Sequence, residues 1–262
     1  MFGSFVVALA ASFGGLLGLI AGSFMNVVAY RVPLGRSVVR PRSACTTCDA
    51  EITPRDNIPV VSWFLLRGRC RQCGARFSGR YPLVEAATAG LFVAVPFVIG
   101  ASWTIPAYWW FVGVSVVLVV TDFDHKRIPN RILFPGIVVG TVLLGVGSAV
   151  DGDLWSMGRA LGGGAAYFGG LLLIALVARG GFGYGDVKLG FLLGEFLAYQ
   201  SWGILAAGSM LAILIGGAVA VVLMIARRVS RKDAIPFGPS MVAGAFTALV
   251  VGQRIVDWYV GA

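Results

Sequence analysis

The chain has 262 residues, of which 58% are hydrophobic and 13% charged, and its mean hydropathy is +0.85. Soluble domains carry roughly 25% charged residues, so the composition excludes one and predicts a polytopic membrane protein. The formal net charge of +9 invites a nucleic-acid partner, but the cations cluster in the breaks between apolar runs. That is the pattern that orients membrane helices, and no nucleic-acid partner is predicted.

The first apolar run predicts span 1 over residues 5–28. No basic segment precedes it and no small-residue cleavage site ends it, so no cleavable signal peptide is expected. A basic loop, 30–80, follows and holds ten of the 21 Lys and Arg residues. Spans 2 and 3 are predicted over 83–99 and 105–121, span 4 over 132–150 and span 5 over 160–178. The apolar run 187–226 is 40 residues long, about 60 Å of helix. Twice a bilayer core, it is folded here into spans 6 and 7 with a hairpin near 199–203. Span 8 covers 242–259.

Eight spans place both termini on one side. The loops after spans 1, 3, 5 and 7 then carry 19 of the 21 cations and face the cytoplasm. Both termini are expected outside. The 37 glycines suit close helix packing in lipid. No internal repeat or low-complexity stretch stands out, and the helices are apolar on all faces, so periodicity assigns no lipid-facing side.

All four cysteines lie in the first loop, as CTTC at 45–48 and CRQC at 70–73. The pattern C-x2-C-x21-C-x2-C gives two knuckles and four thiolates, the donor set of a tetrahedral structural zinc site. Disulfides are the rival, disfavoured on the reducing side of a membrane. About 50 residues with few apolar side chains need a staple, and a structural zinc supplies roughly 10–16 kcal/mol. Cys45, Cys48, Cys70 and Cys73 are the predicted ligands.

Span 3 ends in DFDHKRIPN, and span 6 opens from GGFGYGDVKL. Asp122 and Asp186 therefore fall at the same, cytoplasmic, end of their helices. Taken singly each has an ordinary explanation: Asp186 as a helix N-cap, Asp122 as an interfacial charge beside Lys126 and Arg127, and Asn130 as a cap of span 4. Two points favour a site. Acids bordering the hydrocarbon default to functional candidates. Four glycines in the six residues before Asp186 also allow positive φ and close approach by an extended peptide. Two carboxyls sharing one proton can activate water and polarise a peptide carbonyl. His125 is the only histidine, so no Ser/His/Asp set competes, and no H-E-x-x-H is present.

With these residues in view, the chain resembles the bacterial type IV prepilin peptidases, membrane aspartic proteases of the GxGD type. Five ordered segments carry the resemblance: GSFMNVVAYRVP (22–33), NIPVVSWFLLRGRCRQC with SGRYPLVEAATA, DFDHKRIPN, GFGYGDVKL and IPFGP (235–239). It implies an all-α membrane protein of about eight helices. Residues 1–29 would form the first span, 30–81 the cytoplasmic zinc-binding domain associated with methyl transfer, and 82–262 a seven-helix protease domain.

The resemblance further implies that Asp122 and Asp186 are the catalytic pair, with Asp124, Gly183, Gly185 and Lys188 in support. Prepilins or pseudopilins of type IV pili or type II secretion would be the substrates, cut at the cytoplasmic face of the bacterial plasma membrane. Members with the cysteine loop also N-methylate the new terminus, using S-adenosylmethionine. Glu85 is a candidate contact for that donor, with stabilisation of a helix N-terminus as the alternative. Many members carry Pro-Asp where this chain has Pro129–Asn130, and Glu195 is an intramembrane acid outside the family pattern. Three other functions stay open at this point: a cleavage-only peptidase with the zinc loop as scaffold, a proton- or cation-coupled transporter using Asp122, Asp186 and Glu195, and a structural anchor for a secretion machine.

Overall fold

The computed structural model describes residues 2–177, 183–228 and 236–261. Among these residues the chain is helical apart from the cysteine loop. The helices are α1 (Phe2–Arg31), α2 (Val61–Leu65), α3 (Arg80–Ile99), α4 (Ile105–His125), α5 (Asn130–Asp151), α6 (Leu154–Val177), α7 (Tyr184–Gln200), α8 (Trp202–Ile225) and α9 (Gly238–Val260). Every predicted span falls on one of them, save that residue 178, the last of span 5, lies outside the described residues. The hairpin expected near 199–203 is a break at one residue: Ser201 is extended (φ −167°, ψ 159°), and its side chain accepts a hydrogen bond from the Ile204 amide to start α8.

Seven described helices are long and apolar enough to cross a membrane. The eighth, α7, has 17 residues, about 25 Å of rise, short of a hydrocarbon core of about 30 Å. It nonetheless runs from one end of the bundle to the other. Its first turn lies beside α5, where Lys188 Nζ donates to Asn130 Oδ1 at 3.1 Å. Its last turn lies at the opposite end, where Arg159 Nε of α6 donates to the Ala198 carbonyl at 2.6 Å. By length and composition, seven of the described helices are candidate membrane crossings.

α4 and α7 form the centre. Of the apolar window of α4, 78% is buried, against 11% for α8. Phe111 stacks on Phe196 with centroids 4.4 Å apart, and Tyr108 Oη donates to the Phe196 carbonyl at 2.9 Å. These contacts fix the register of the two helices and hence the relative depth of Asp122 and Asp186.

Around this centre the helices pair along seams of small residues. On α1, Gly14, Gly18 and Gly22 face α3 so closely that a Cβ on Gly18 would stand 2.7 Å from Ala89 Cα. On α7, a Cβ on Gly194 would stand 2.6 Å from the Gly163 carbonyl of α6. On α9, a Cβ on Gly244 would meet the Ala212 backbone of α8 at 2.5 Å. Without a hydrophobic drive between helices in lipid, such close backbone approach is what holds them. The opposite face of α1 presents Phe5, Leu9, Phe13, Leu16, Ile20 and Phe24, each more than half exposed, as a lipid-facing row.

The cysteine loop packs on the ends of α1 and α3. It contains one 3-10 turn, Pro54–Asn57, and the short α2. Its two knuckles are built alike, 25 residues apart, a local repeat not apparent from residue identities. The Cys45 amide donates to the Ala50 carbonyl at 2.9 Å and the Cys70 amide to the Ala75 carbonyl at 2.8 Å. Asp49 (φ 55°) and Gly74 (φ 73°) turn the chain at equivalent positions.

Candidate active site and cysteine centre

Asp122 sits in the last turn of α4 and Asp186 in the first turn of α7. They meet at the start of α9. A Cβ built on Gly238 would lie 2.8 Å from Asp122 Oδ2 and 3.5 Å from Asp186 Oδ1, so the two carboxyl oxygens are at most 6.3 Å apart. The Gly238 amide is aimed at Asp122, and Asp122 Oδ2 is buried with no hydrogen-bond partner among the described residues. Asp186 is not a cap. Gly183 holds the N-cap position, without a side-chain cap, and Asp186 stands three residues inside the helix. Pro129, not Asn130, holds the N-cap position of α5.

Both aspartates line one cavity of about 600 Å³ together with His125, Asn130, Gly183, Gly185 and Lys188. Gly183 and Gly185 therefore lie at the site, but their φ values are not positive. Their role is close approach: a Cβ on Gly183 would come within 3.0 Å of Asp186 Oδ2, and one on Gly185 within 3.1 Å of Ile128 Cβ. Residues 180–182 of the glycine stretch lie outside the described residues. Lys188 lies over the Phe134 ring, 5.7 Å from its centroid, and its bond to Asn130 joins α7 to α5 at the cavity wall.

Asp124 is placed differently. It does not line the cavity but takes a two-pronged ion pair from Arg80, at 2.5 and 2.6 Å, tying the first residue of α3 to the end of α4. Glu85 is buried, and its Oε2 accepts from the Val60 amide at 2.6 Å, binding the cysteine loop to α3. Glu195 is fully buried inside the bundle, beside Thr141, and both its carboxyl oxygens lack a hydrogen-bond partner among the described residues. Gly238 is the site residue that sequence reasoning passed over. Its only signal was its place inside the IPFGP segment.

The four cysteines converge. Their sulfurs all lie within 4.8 Å of one another, with Cys45 Sγ 3.8 Å from Cys73 Sγ. A tetrahedral ion with sulfur bonds of 2.3 Å needs sulfurs about 3.8 Å apart, so the set fits a metal of that kind. Backbone amides of Thr47 and Cys48 point at Cys45 and lower its thiol, whereas the crowded neighbouring sulfurs raise that of Cys48.

Residues 16–99 match the family model of a bacterial peptidase A24 N-terminal domain, and residues 109–225 match that of the type IV leader peptidase family. A Bacillus subtilis protein named prepilin leader peptidase/N-methyltransferase is 34% identical over 248 residues, spanning 94% of this chain and 96% of the relative. Proteins of the same name from Aeromonas hydrophila and Pseudomonas aeruginosa are each 33% identical, covering 93% of this chain and 91% of theirs. The chain belongs to the type IV leader peptidase family. No solved structure matches it. In this leader peptidase family member, the 109–225 match contains Asp122 and Asp186, the 16–99 match contains the four cysteines, and Gly238 lies beyond both.

Proposed function

We propose that this protein removes the leader peptide of type IV prepilins or pseudopilins and then N-methylates the new terminal residue, using S-adenosylmethionine. The observation that carries the cleavage step is the meeting of two carboxyls from α4 and α7 against the Gly238 backbone, in one open cavity. In this reading Asp122 and Asp186 share one proton. The ionised carboxylate takes a proton from water as the oxygen adds to the scissile carbonyl, while the protonated partner hydrogen-bonds the carbonyl oxygen. Collapse breaks the C–N bond, and a carboxyl proton passes to the leaving amine. Gly183 and Gly185 leave room for an extended peptide, and Lys188 holds the wall through Asn130. The methyl donor supplies an activated methyl group for the freed amine, which loses one proton.

The same reading assigns zinc to Cys45, Cys48, Cys70 and Cys73, supported by the sulfur spacing. It divides the chain into a first span (1–29), a zinc-binding domain (30–81) and a protease domain (82–262). Eight crossings of the bacterial plasma membrane, with both termini outside, fit the concentration of cations in loops at the aspartate end.

Co-expression with a prepilin tests the cleavage reading directly. The wild type is expected to remove a mass equal to the leader. Asp122→Ala and Asp186→Ala each lose cleavage, by about 10²–10⁴-fold, with membrane insertion intact. Undiminished cleavage by Asp186→Ala would sink the mechanism. A labelled methyl group on the cleaved pilin reports the second activity.

A further inference from the structure

The cleavage reading leaves Glu195 without a task. Its side chain is fully buried within α7, and its neighbours one turn away on that helix are Phe191, Leu192, Ala198 and Tyr199. Both carboxyl oxygens lack a donor among the described residues. The polar groups around it are already committed. Tyr108 Oη, from α4, donates to the Phe196 carbonyl and accepts from Gln200 Nε2. Arg159, from α6, gives its guanidinium to the carbonyls of Ala198, Tyr199 and Gln200 and to the Ser156 hydroxyl. Lys188, two turns back along α7, donates to Asn130. A carboxylate with neither donor nor cation is strongly disfavoured in such a place, and the group keeps its proton instead.

Thr141 of α5 stands beside Glu195. Its hydroxyl proton is committed too, to the Ile137 carbonyl one turn back at 2.9 Å. Thr141 Oγ1 therefore offers Glu195 lone pairs alone. A carboxylate and those lone pairs repel, whereas a carboxylic acid donates to them. The proton that the pair needs is the acid's own. The second carboxyl oxygen is then a neutral carbonyl, which costs far less to bury unpaired than a charge.

The contact lies on a seam. Lys188 and Glu195 are seven residues apart on α7, and Asn130 and Thr141 eleven apart on α5. These spacings are close to two and three whole turns, so each pair shares one helix face. Packing along the same seam is tight, since a Cβ on Gly140 would come within 3.1 Å of the Phe196 ring. Asp186, two residues from Lys188, points about 200° away from that face, toward Asp122 and Gly238. The seam therefore fixes the rotation and depth of the helix that carries it.

We infer that Glu195 is a protonated carboxylic acid that donates to Thr141 Oγ1, a positioning residue that holds α7 where Asp186 meets Asp122. The effect on rate rests on the cleavage reading above; the protonation does not.

Infrared difference spectra between the wild type and Glu195→Gln, both full length in lipid vesicles, test the protonation. At neutral pH the wild type is expected to show the carbonyl stretch of a carboxylic acid that the variant lacks, and Thr141→Val to shift that band. Carboxylate bands in its place overturn the inference. Single-turnover cleavage at saturating prepilin tests the positioning. Glu195→Gln keeps an amide donor and is expected to cleave within about 2-fold of wild type. Glu195→Leu and Thr141→Val are expected to slow cleavage by about 3- to 20-fold, the range that one hydrogen bond between membrane helices spans, with the half-saturating prepilin concentration unchanged. The double variant should be no slower than either single one, and Thr141→Ser, which keeps the hydroxyl, should cleave as the wild type does. Melting temperatures report folding, and the near-isosteric Glu195→Gln and Thr141→Ser keep the test decisive if Glu195→Leu does not fold. Glu195→Gln as slow as Glu195→Leu would mean that a charge is needed and overturns the inference, as does Glu195→Leu at the wild-type rate. A wild type that shows the acid band but cleaves no prepilin overturns the cleavage reading and still supports the protonated contact.

Discussion

Gly238 leaves the two carboxyls almost no spare room. A methyl group there would come 2.8 Å from Asp122 Oδ2, closer than side-chain carbons come to other atoms, so Gly238→Ala must displace the carboxyl. Because the site opens on a cavity, the displacement is absorbed locally. Single-turnover cleavage is expected to fall by about 100-fold, with the melting temperature within error of wild type. Sequence marks Asp122 and Asp186 as acids at helix ends. Gly238 lies 52 residues beyond Asp186 and carries no chemistry of its own, so only its neighbours in space give it a role. The same holds for Asp124. The sequence groups it with Asp122, but helix geometry turns it toward Arg80, where both partners are partly exposed and the pair is worth on the order of 1 kcal/mol or less. Glu195 keeps its place as the acid without an account in the family pattern, and no salt bridge to it is present among the described residues.

Helix pairing rests on spacing that a sequence displays but does not interpret. Gly14, Gly18 and Gly22 recur every four residues, and so do Gly190 and Gly194. The spacing alone does not say which helix each row meets. Gly18→Val is expected to separate α1 from α3 and reduce the yield of folded protein, whereas Gly90→Ala, with nothing within 4 Å of the added carbon, leaves it unchanged. Size-exclusion profiles of the two purified variants compare them. Helix ends follow simpler rules. Asp153 accepts from the Ser156 amide at 3.1 Å and from its hydroxyl at 2.5 Å, anchoring the first turn of α6. The Ser156 hydroxyl and amide hold the Asp153 carboxyl below the usual carboxylate range. A lowered native value means its contribution is complete above the unfolded value of about 3.9 and disappears as pH falls through the native one. Asp153→Ala should therefore cost about 1 kcal/mol or less at pH 7. Thermal melts of the two proteins should converge as pH falls through the lowered native value of Asp153; a gap that persists at the acid end would show that the cap does not act through the carboxylate.

At the scale of the molecule, the aspartate cavity lies between the two matched parts rather than within one: Pro33 of the 16–99 part lines it together with the aspartate helices. The Arg80–Asp124 pair joins the edge of the cysteine loop to the helix that carries Asp122. A loop of this size with so few buried apolar residues depends on its cysteine centre. Cys48→Ser is expected to abolish metal content and open residues 42–79 to limited proteolysis, while the helices remain inserted. A metal-free protein with an intact loop would contradict that dependence. Hydropathy, cation placement and the order of five motifs are local properties, so they were enough to give the class of molecule, its helices and the break near Ser201, and to single out the four cysteines and the two aspartates as candidates. Which helix faces which, and which distant residues close around the cavity, were not legible, because helices apolar on every side carry no preferred face. Those matters were settled by which glycine rows let backbones touch and by the stacking of Phe111 on Phe196, both contacts between segments far apart along the chain.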